Sequence, residues 1–297
     1  MVPASAQDPV NLSATSPEPD VVHVGVFVED FNAFNVEEGT VDAHFYANLR
    51  SDKPFSMRDF EIKNGEITQF TAISDTPTEK RYRFFATLTV EPDLRRFPFD
   101  IHKLQIIVEP KTRSEQSLVM VIDNPKTGFS KDASPPGWQI TGQAYTITNQ
   151  SSMDEEIPYS RAIFGYEVTR DHRSTALKFF LPIFIIVLIS LGSLIMKTTS
   201  RLGVNASMFL AAVMIHWRIA DSVPLVAYAT FLDIFMIITY ATILMVIVSS
   251  YLIIRYQESK DPARVELINY WSIRIIPPLA AGMYILLFLS LVLWKAG

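Results

Sequence analysis

Seven stretches in the first part of the chain alternate apolar and polar residues. They are "VVHVGVFVED", "TVDAHFYANLR", "YRFFATLTV", "HKLQIIVEP", "SLVMVID", "GWQITGQAYTIT" and "RAIFGYEVTR". Alternation at period two places one set of side chains on one face of a strand. Turn-forming "KNGE", "SDTPTE" and "SPPGW" separate the stretches,. The pattern predicts an antiparallel, immunoglobulin-like β-sandwich over residues 21–171. Beyond it the alternation stops, and four long apolar segments follow at about residues 175–196, 202–220, 225–254 and 268–294. Each is long enough to cross a hydrocarbon core of about 30 Å as a helix. In lipid they must be helical, because every backbone polar group needs an internal partner. Residues 172–297 therefore read as a four-helix transmembrane domain.

Charge divides along the same line. Residues 1–171 carry 16 basic and 26 acidic residues, and residues 172–297 carry 10 and 5. Lys197 and Arg201 lie in the first inter-helix connection, and Arg255, Lys260 and Arg264 in the third. The positive-inside rule makes both connections cytoplasmic. The sandwich and the C-terminus then lie outside, at the periplasmic side of a multi-pass inner-membrane protein. Residues 1–20, rich in Pro, Ser, Ala and Asp, read as a disordered lead-in and not as a signal peptide,. The chain has no cysteine, which excludes disulfides and thiolate metal sites,.

The tetrapeptide "FPFD", Phe97, Pro98, Phe99 and Asp100, is part of an ordered set. Asp93 precedes it, and Trp138 stands in "GWQI". Arg170 lies twelve residues before Pro182, and Pro224 and Tyr228 lie in "SVPLVAYATFLD". In this order, on a sandwich followed by four helices, the residues resemble the pentameric ligand-gated ion channels of the Cys-loop receptor superfamily. The bacterial branch is the nearest, since Val90 and Leu104 stand where animal members carry cysteines. The resemblance covers about residues 21–297. It implies a homopentamer in a lipid bilayer, passing inorganic ions and opened by a small-molecule agonist. It also implies that Arg170 meets Asp100 and one of Glu37 or Glu38 where sandwich and helices join. Two departures stand out: a short stretch between residues 50 and 81, and "TTSRLG" in place of the usual charged motifs before the second span.

The second apolar segment has an ordered face. Gly203, Ser207, Leu210, Met214, Trp217 and Asp221 follow one another in steps of 4, 3, 4, 3 and 4, which is one stripe of a helix. Lipid has no use for a column running from small polar residues to a carboxylate. A packing face would explain the small residues, and Ala206, Ala211 and Ala212 are assigned to packing. The column itself reads as pore-lining: Leu210, Met214 and Trp217 make apolar rings able to close by dewetting, and Asp221 a charged ring at the outer mouth. The acidic sandwich and Asp221 favour cations, with Arg201 and Arg218 as opposing charges.

Other chemistry is sparse. No nucleotide-binding, nucleophile-elbow or metal-protease pattern occurs on a fitting scaffold, so no enzymatic role, cofactor, metal site or nucleic-acid partner is expected. His216 lies in the membrane, one step off the column, and reads equally as a functional group or an interhelical hydrogen-bond partner. The resemblance places ligand-site candidates at His44, Tyr46, Asp123 and Tyr159. Tyr159 follows "TNQSSMDEEIP" and suits a cationic ligand by cation–π contact, or simply covers the sheet edge. The functional expectation is a ligand- or pH-gated channel; the alternative is an oligomeric membrane-anchored solute sensor without a conducting pore.

Overall fold

A computed structural model describes residues 18–151, 158–221 and 223–294. The expected lead-in up to residue 17, and residues 152–157 ahead of Tyr159, lie outside the described residues. Two sheets come first along the chain. The larger has strand order β4–β5–β2–β1–β7, with β8 also on β1. Its strands are β1 (Asp20–Asn35), β2 (Thr40–Ser51), β4 (Gly65–Asp75), β5 (Glu79–Thr89), β7 (Leu118–Ile122) and β8 (Gly128–Phe129). The smaller has order β3–β6–β10–β9, from β3 (Phe60–Ile62), β6 (Ile101–Pro110), β9 (Trp138–Ser151) and β10 (Pro158–Arg170). The sandwich is as expected, but one edge is mixed: β7 and β8 run parallel to β1.

Alternation builds the core. Val22, Val24, Val26 and Val28 on β1 and Val41, Ala43, Phe45 and Leu49 on β2 are buried against Leu104, Ile106, Phe164 and Tyr166 of the other sheet. A bulge between Val28 and Asp30 shifts the pattern by one, so Phe31 is the next residue inside,. The β1–β2 turn needs a glycine. Gly39 has φ +64°, and a Cβ there would lie 2.8 Å from the Val90 carbonyl oxygen,.

Strand β4 was not legible as a strand. Its apolar residues Ile67, Phe70 and Ile73 recur at period three, because bulges between Ile67 and Gln69 and between Ala72 and Ser74 each insert a residue,.

Four helices follow: α1 (His172–Gly192), α2 (Thr198–Ala220), α3 (Phe231–Glu258) and α4 (Pro262–Trp294). All four contain stretches long and apolar enough to cross a membrane. Their ends differ from the apolar segments for identifiable reasons. The third helix begins at Phe231, not 225, because Thr230 and Asp233 form a reciprocal capping box,. The fourth begins at Pro262, because a stretch carrying Arg264 and Glu266 ahead of residue 268 is also helical,. The second gains a turn before residue 202, where Thr and Ser carry no hydrophobic signal. Helix α4 packs mainly on α3, and α3 in turn on α2.

Candidate functional site

Two places gather functional chemistry: the junction of sandwich and helices, and the outer face of α2. The junction is built on the loop between β5 and β6. Phe97 is buried and meets Phe179 of α1 edge-on at 5.4 Å. Phe99 stacks on Phe180 at 5.6 Å and meets Phe231 of α3 at 5.8 Å. Pro98 between them is buried, and its peptide bond with Phe97 is cis.

The first amides of a helix lack intrahelical acceptors. Here the loop supplies them: Phe231 N–H donates to the Arg95 carbonyl (2.9 Å) and Leu232 N–H to the Phe97 carbonyl (3.2 Å). The Tyr228 hydroxyl accepts from Leu94 N–H at 3.0 Å. Arg95 lies over the Tyr228 ring at 5.1 Å and pairs with Asp93 at 3.1 Å. Pro224 is half-buried in the connection between α2 and α3.

Asp100 is 0% exposed. Arg170 Nε donates to its Oδ1 at 3.1 Å, and His102 Nε2 lies 2.5 Å from its Oδ2. Burial alone would raise the Asp100 pKa; the His102 hydrogen bond and the Arg170 charge outweigh burial and hold it below the ordinary carboxylate value,. The Arg170 guanidinium also lies over Trp138 at 4.4 Å and Phe97 at 5.5 Å. Glu37 and Glu38 do not complete this group. Both are exposed in the β1–β2 turn, their amides donating to Asn35 Oδ1 at 3.0 and 3.2 Å. Among the described residues neither forms an ion pair with Arg170. The further partner that Asp100 has in the structure is His102, on its other oxygen.

On α2, Gly203, Ser207, Leu210, Met214, Trp217 and Asp221 are all exposed in the single chain. Leu210 is 61%, Met214 64% and Trp217 69% exposed, so one chain leaves this face open. The opposite face is buried: Arg201, Asn205, Ala212 and Ile219. Of the alanines assigned to packing, Ala212 is buried and Ala211 half-buried, while Ala206 is exposed.

Arg201 therefore points away from the column, with 1% exposure. Its Nη1 donates to the Leu194 carbonyl at 3.2 Å. Asn205 Nδ2 donates to Ser193 Oγ at 2.6 Å and to the Arg201 carbonyl at 2.8 Å, and Asn205 Oδ1 accepts from Ser190. These bonds tie α2 to the end of α1. His216 joins α2 to α3, 3.0 Å from the Tyr240 hydroxyl and 3.5 Å from Asp233. That is the interhelical arrangement of the two alternatives. Asp221 stands at the end of α2, its amide donating to the Trp217 carbonyl at 3.0 Å; among the described residues it makes no ion pair with Arg218.

The ligand-site candidates stay apart within one chain. His44 and Tyr46 share the outer face of β2, His44 against Phe85 at 4.1 Å. Arg81 and Arg83 lie over the Tyr46 ring at 5.3 and 5.7 Å. Tyr159 is on β10 in the other sheet, in register with Gln150. Asp123 belongs to a turn after β7, where its amide donates to the Val24 carbonyl at 2.8 Å.

Sequence reasoning missed His102 and Asn205. His102 is two residues from Asp100 at a strand start, hence on the same face, and that spacing was the available signal. Asn205 is a polar residue one helical turn from Arg201 on the face opposite the column, a signal visible only once that face was known to be inside.

An all-β domain seated by a buried aromatic loop on four membrane-length helices defines the class: a sandwich-plus-four-helix membrane protein, crossing the membrane several times. No family model matches the chain. A curated relative, the "Proton-gated ion channel" of Gloeobacter violaceus, is 23% identical over 128 residues, which are 43% of this chain and 36% of that protein. The match thus spans just over a third of the relative's length. The resemblance to the prokaryotic pentameric ligand-gated ion channels holds in the fold and in the kind of protein matched.

Proposed function

We propose that this chain is one subunit of a homopentameric ligand-gated channel in which the α2 columns surround a water-filled path for inorganic ions. The observation that carries this reading is the exposed column. Three bulky apolar rings sit between Gly203 and Ser207 at one end and Asp221 at the other, and none of the described residues covers them. A single helix encloses no path, so copies must supply the other walls. Small residues at one end admit hydrated ions, and the apolar rings close the path by dewetting.

Cations are the favoured cargo. Asp221 is at one mouth and the acidic sandwich above it, and the opposing charge of Arg201 is turned inward,. The sandwich faces outward from the inner membrane, and an external small ligand or proton opens the path. Gating runs through the β5–β6 loop, whose carbonyls hold the start of α3: a shift of the sandwich moves that helix and the connection at Pro224.

Purified protein in a planar bilayer tests this. Discrete unitary currents that respond to an external pH step or to a screened amine or carboxylic acid support the channel. Absence of any unitary current, with the oligomer intact, favours the anchored sensor.

A further inference from the structure

Arg218 stands in the last turn of α2 with its side chain exposed. Among the described residues no carboxylate, carbonyl or aromatic ring is its partner. A cation there suits the helix dipole, but the dipole does not say where the guanidinium points. The helical wheel does, since each residue turns the helix by about 100°. Arg218 lies about 60° from the mean direction of the column that runs from Gly203 to Asp221. Phe209 and His216 both meet Tyr240 of α3. They lie about 130° from the column on the other flank. Arg201 and Asn205, tied to the end of α1, are on the back. Arg218 is therefore beside the column, on the flank that α3 of its own chain does not cover.

In a ring of α2 columns, the reading on which this inference rests, every copy meets the next head to tail. The flank with Arg218 is set against the flank of the next copy that carries α3. On that flank α2 offers apolar Val213 and Ala220; the acid there belongs to α3. Asp233 Oδ1 lies 3.5 Å from His216 Nε2, and the Asp233 side chain is 41% exposed. His216 is two residues before Arg218, about 3 Å along the axis at 1.5 Å per residue, so acid and cation stand at one level. Thr230 holds the other oxygen, its amide donating at 2.8 Å and its hydroxyl at 2.9 Å. Oδ1 has only His216 beside it among the described residues. Asp221 is near the same level but stands on the column, turned to the axis.

We propose that Arg218 of one copy pairs with Asp233 of the next, so that a ring of ion pairs joins the subunits at the Asp221 end of the column. The site is incomplete in one chain, and each copy supplies half. A planar guanidinium suits a carboxylate already fixed through one oxygen. The pair links more than two helices. Carbonyls of the β5–β6 loop hold the first amides of α3, so each sandwich, through Asp233, holds the α2 of its neighbour as well as its own α3.

The chain has no cysteine, so introduced thiols are the only ones. The intact oligomer carrying Arg218→Cys and Asp233→Cys is treated with a short bis-maleimide, which spans more than a disulfide allows, and run on a denaturing gel. Covalently linked chains up to the full ring are expected, and none from either single variant. Absence of linked chains in an oligomer of unchanged size overturns the proposal. A second measurement uses Arg218→Gln, Asp233→Asn and their combination, Asn keeping the cap on α3. Each single change should lower the thermal midpoint of the oligomer by a few degrees, and the combination by little more than either. Additive losses overturn the pair, as does coupling of Arg218→Gln to Asp221→Asn in place of Asp233→Asn. Should the double-cysteine variant fail to assemble, these midpoints decide alone. An oligomer that links and couples but passes no current would keep the ion pair and fail as a channel. A conducting oligomer that neither links nor couples would do the reverse.

Discussion

The domain junction and the outer face of α2 are opposite in kind. At the junction, Asp100 and Phe97 are buried, and the carboxylate has both Arg170 and His102 within hydrogen-bond distance. One chain completes it. On α2, Leu210, Met214 and Trp217 are more than half exposed, and one chain leaves their face open. Where side chains find partners inside the chain, substitution should act on stability. Where they find none, it should act on the assembly and on what passes through it.

The largest effect is expected at the junction. Arg170→Ala leaves Asp100 buried with one partner gone, a loss of about 3–5 kcal/mol when a buried pair is broken. The thermal midpoint of the purified oligomer, or the yield of assembled oligomer, should fall clearly. Arg170→Lys restores the charge but not the planar stacking on Trp138, and should recover only part of the loss.

On α2 a change of comparable size in side chain should leave the midpoint nearly alone. Leu210→Ser makes one ring wettable and should raise basal current by about tenfold, equivalent to about 1.4 kcal/mol on the closed–open equilibrium. Unaltered gating with a lowered midpoint would move Leu210 into the same category as Arg170 and dissolve the contrast.

Acid provides a graded version of the junction experiment. The folded pKa of Asp100 lies below its unfolded value of about 3.9,. Its contribution to stability is thus fully present above the unfolded value and is lost as pH falls through the folded one. Between pH 5 and 8 this carboxylate should leave stability flat, and below about pH 4 the midpoint should drop. In Asp100→Asn the part of the acid-limb loss due to this group should vanish, as urea or thermal midpoints measured against pH would show.

Much of the architecture was legible in the sequence, for reasons that also explain the failures. Val22, Val24, Val26 and Val28 announce β1 by strict alternation, and the long apolar runs announce four helices. β4 hid because its bulges turn period two into period three at Ile67, Phe70 and Ile73. The start of α3 was placed early because Leu225 and Val226 are apolar, yet the chain does not become helical until Thr230 caps it. Of the site, the column could be found because helical spacing alone places its six residues on one stripe. The pairing of Arg170 with Asp100 came from the resemblance, since 70 residues separate them. The same resemblance named Glu37 and Glu38, which stand exposed, while the partner in the structure, His102, was next door. Distant partners are a property of the folded sheet, and no local pattern encodes them.

The smallest effect belongs to Asp221. It is exposed at the end of α2, so water and counterions screen it within about 8 Å at physiological salt,. Asp221→Lys should lower unitary cation conductance a few-fold at low ionic strength and by less at high. Equal conductance at both strengths would remove Asp221 from the ion path while leaving the apolar rings in place.

The absence of cysteine makes the central claim directly measurable. Single cysteines at Leu210, Met214, Trp217 and Asp221, and controls at Ala212 and Ile219 on the buried face, can be treated with a charged, water-soluble thiol reagent while current is recorded. The account predicts that reagent modifies the four column positions in the conducting state and reduces the current, whereas the two controls remain unmodified. Column cysteines that stay unreactive while the channel conducts, or that react without changing the current, would contradict the claim that this face of α2 lines the path.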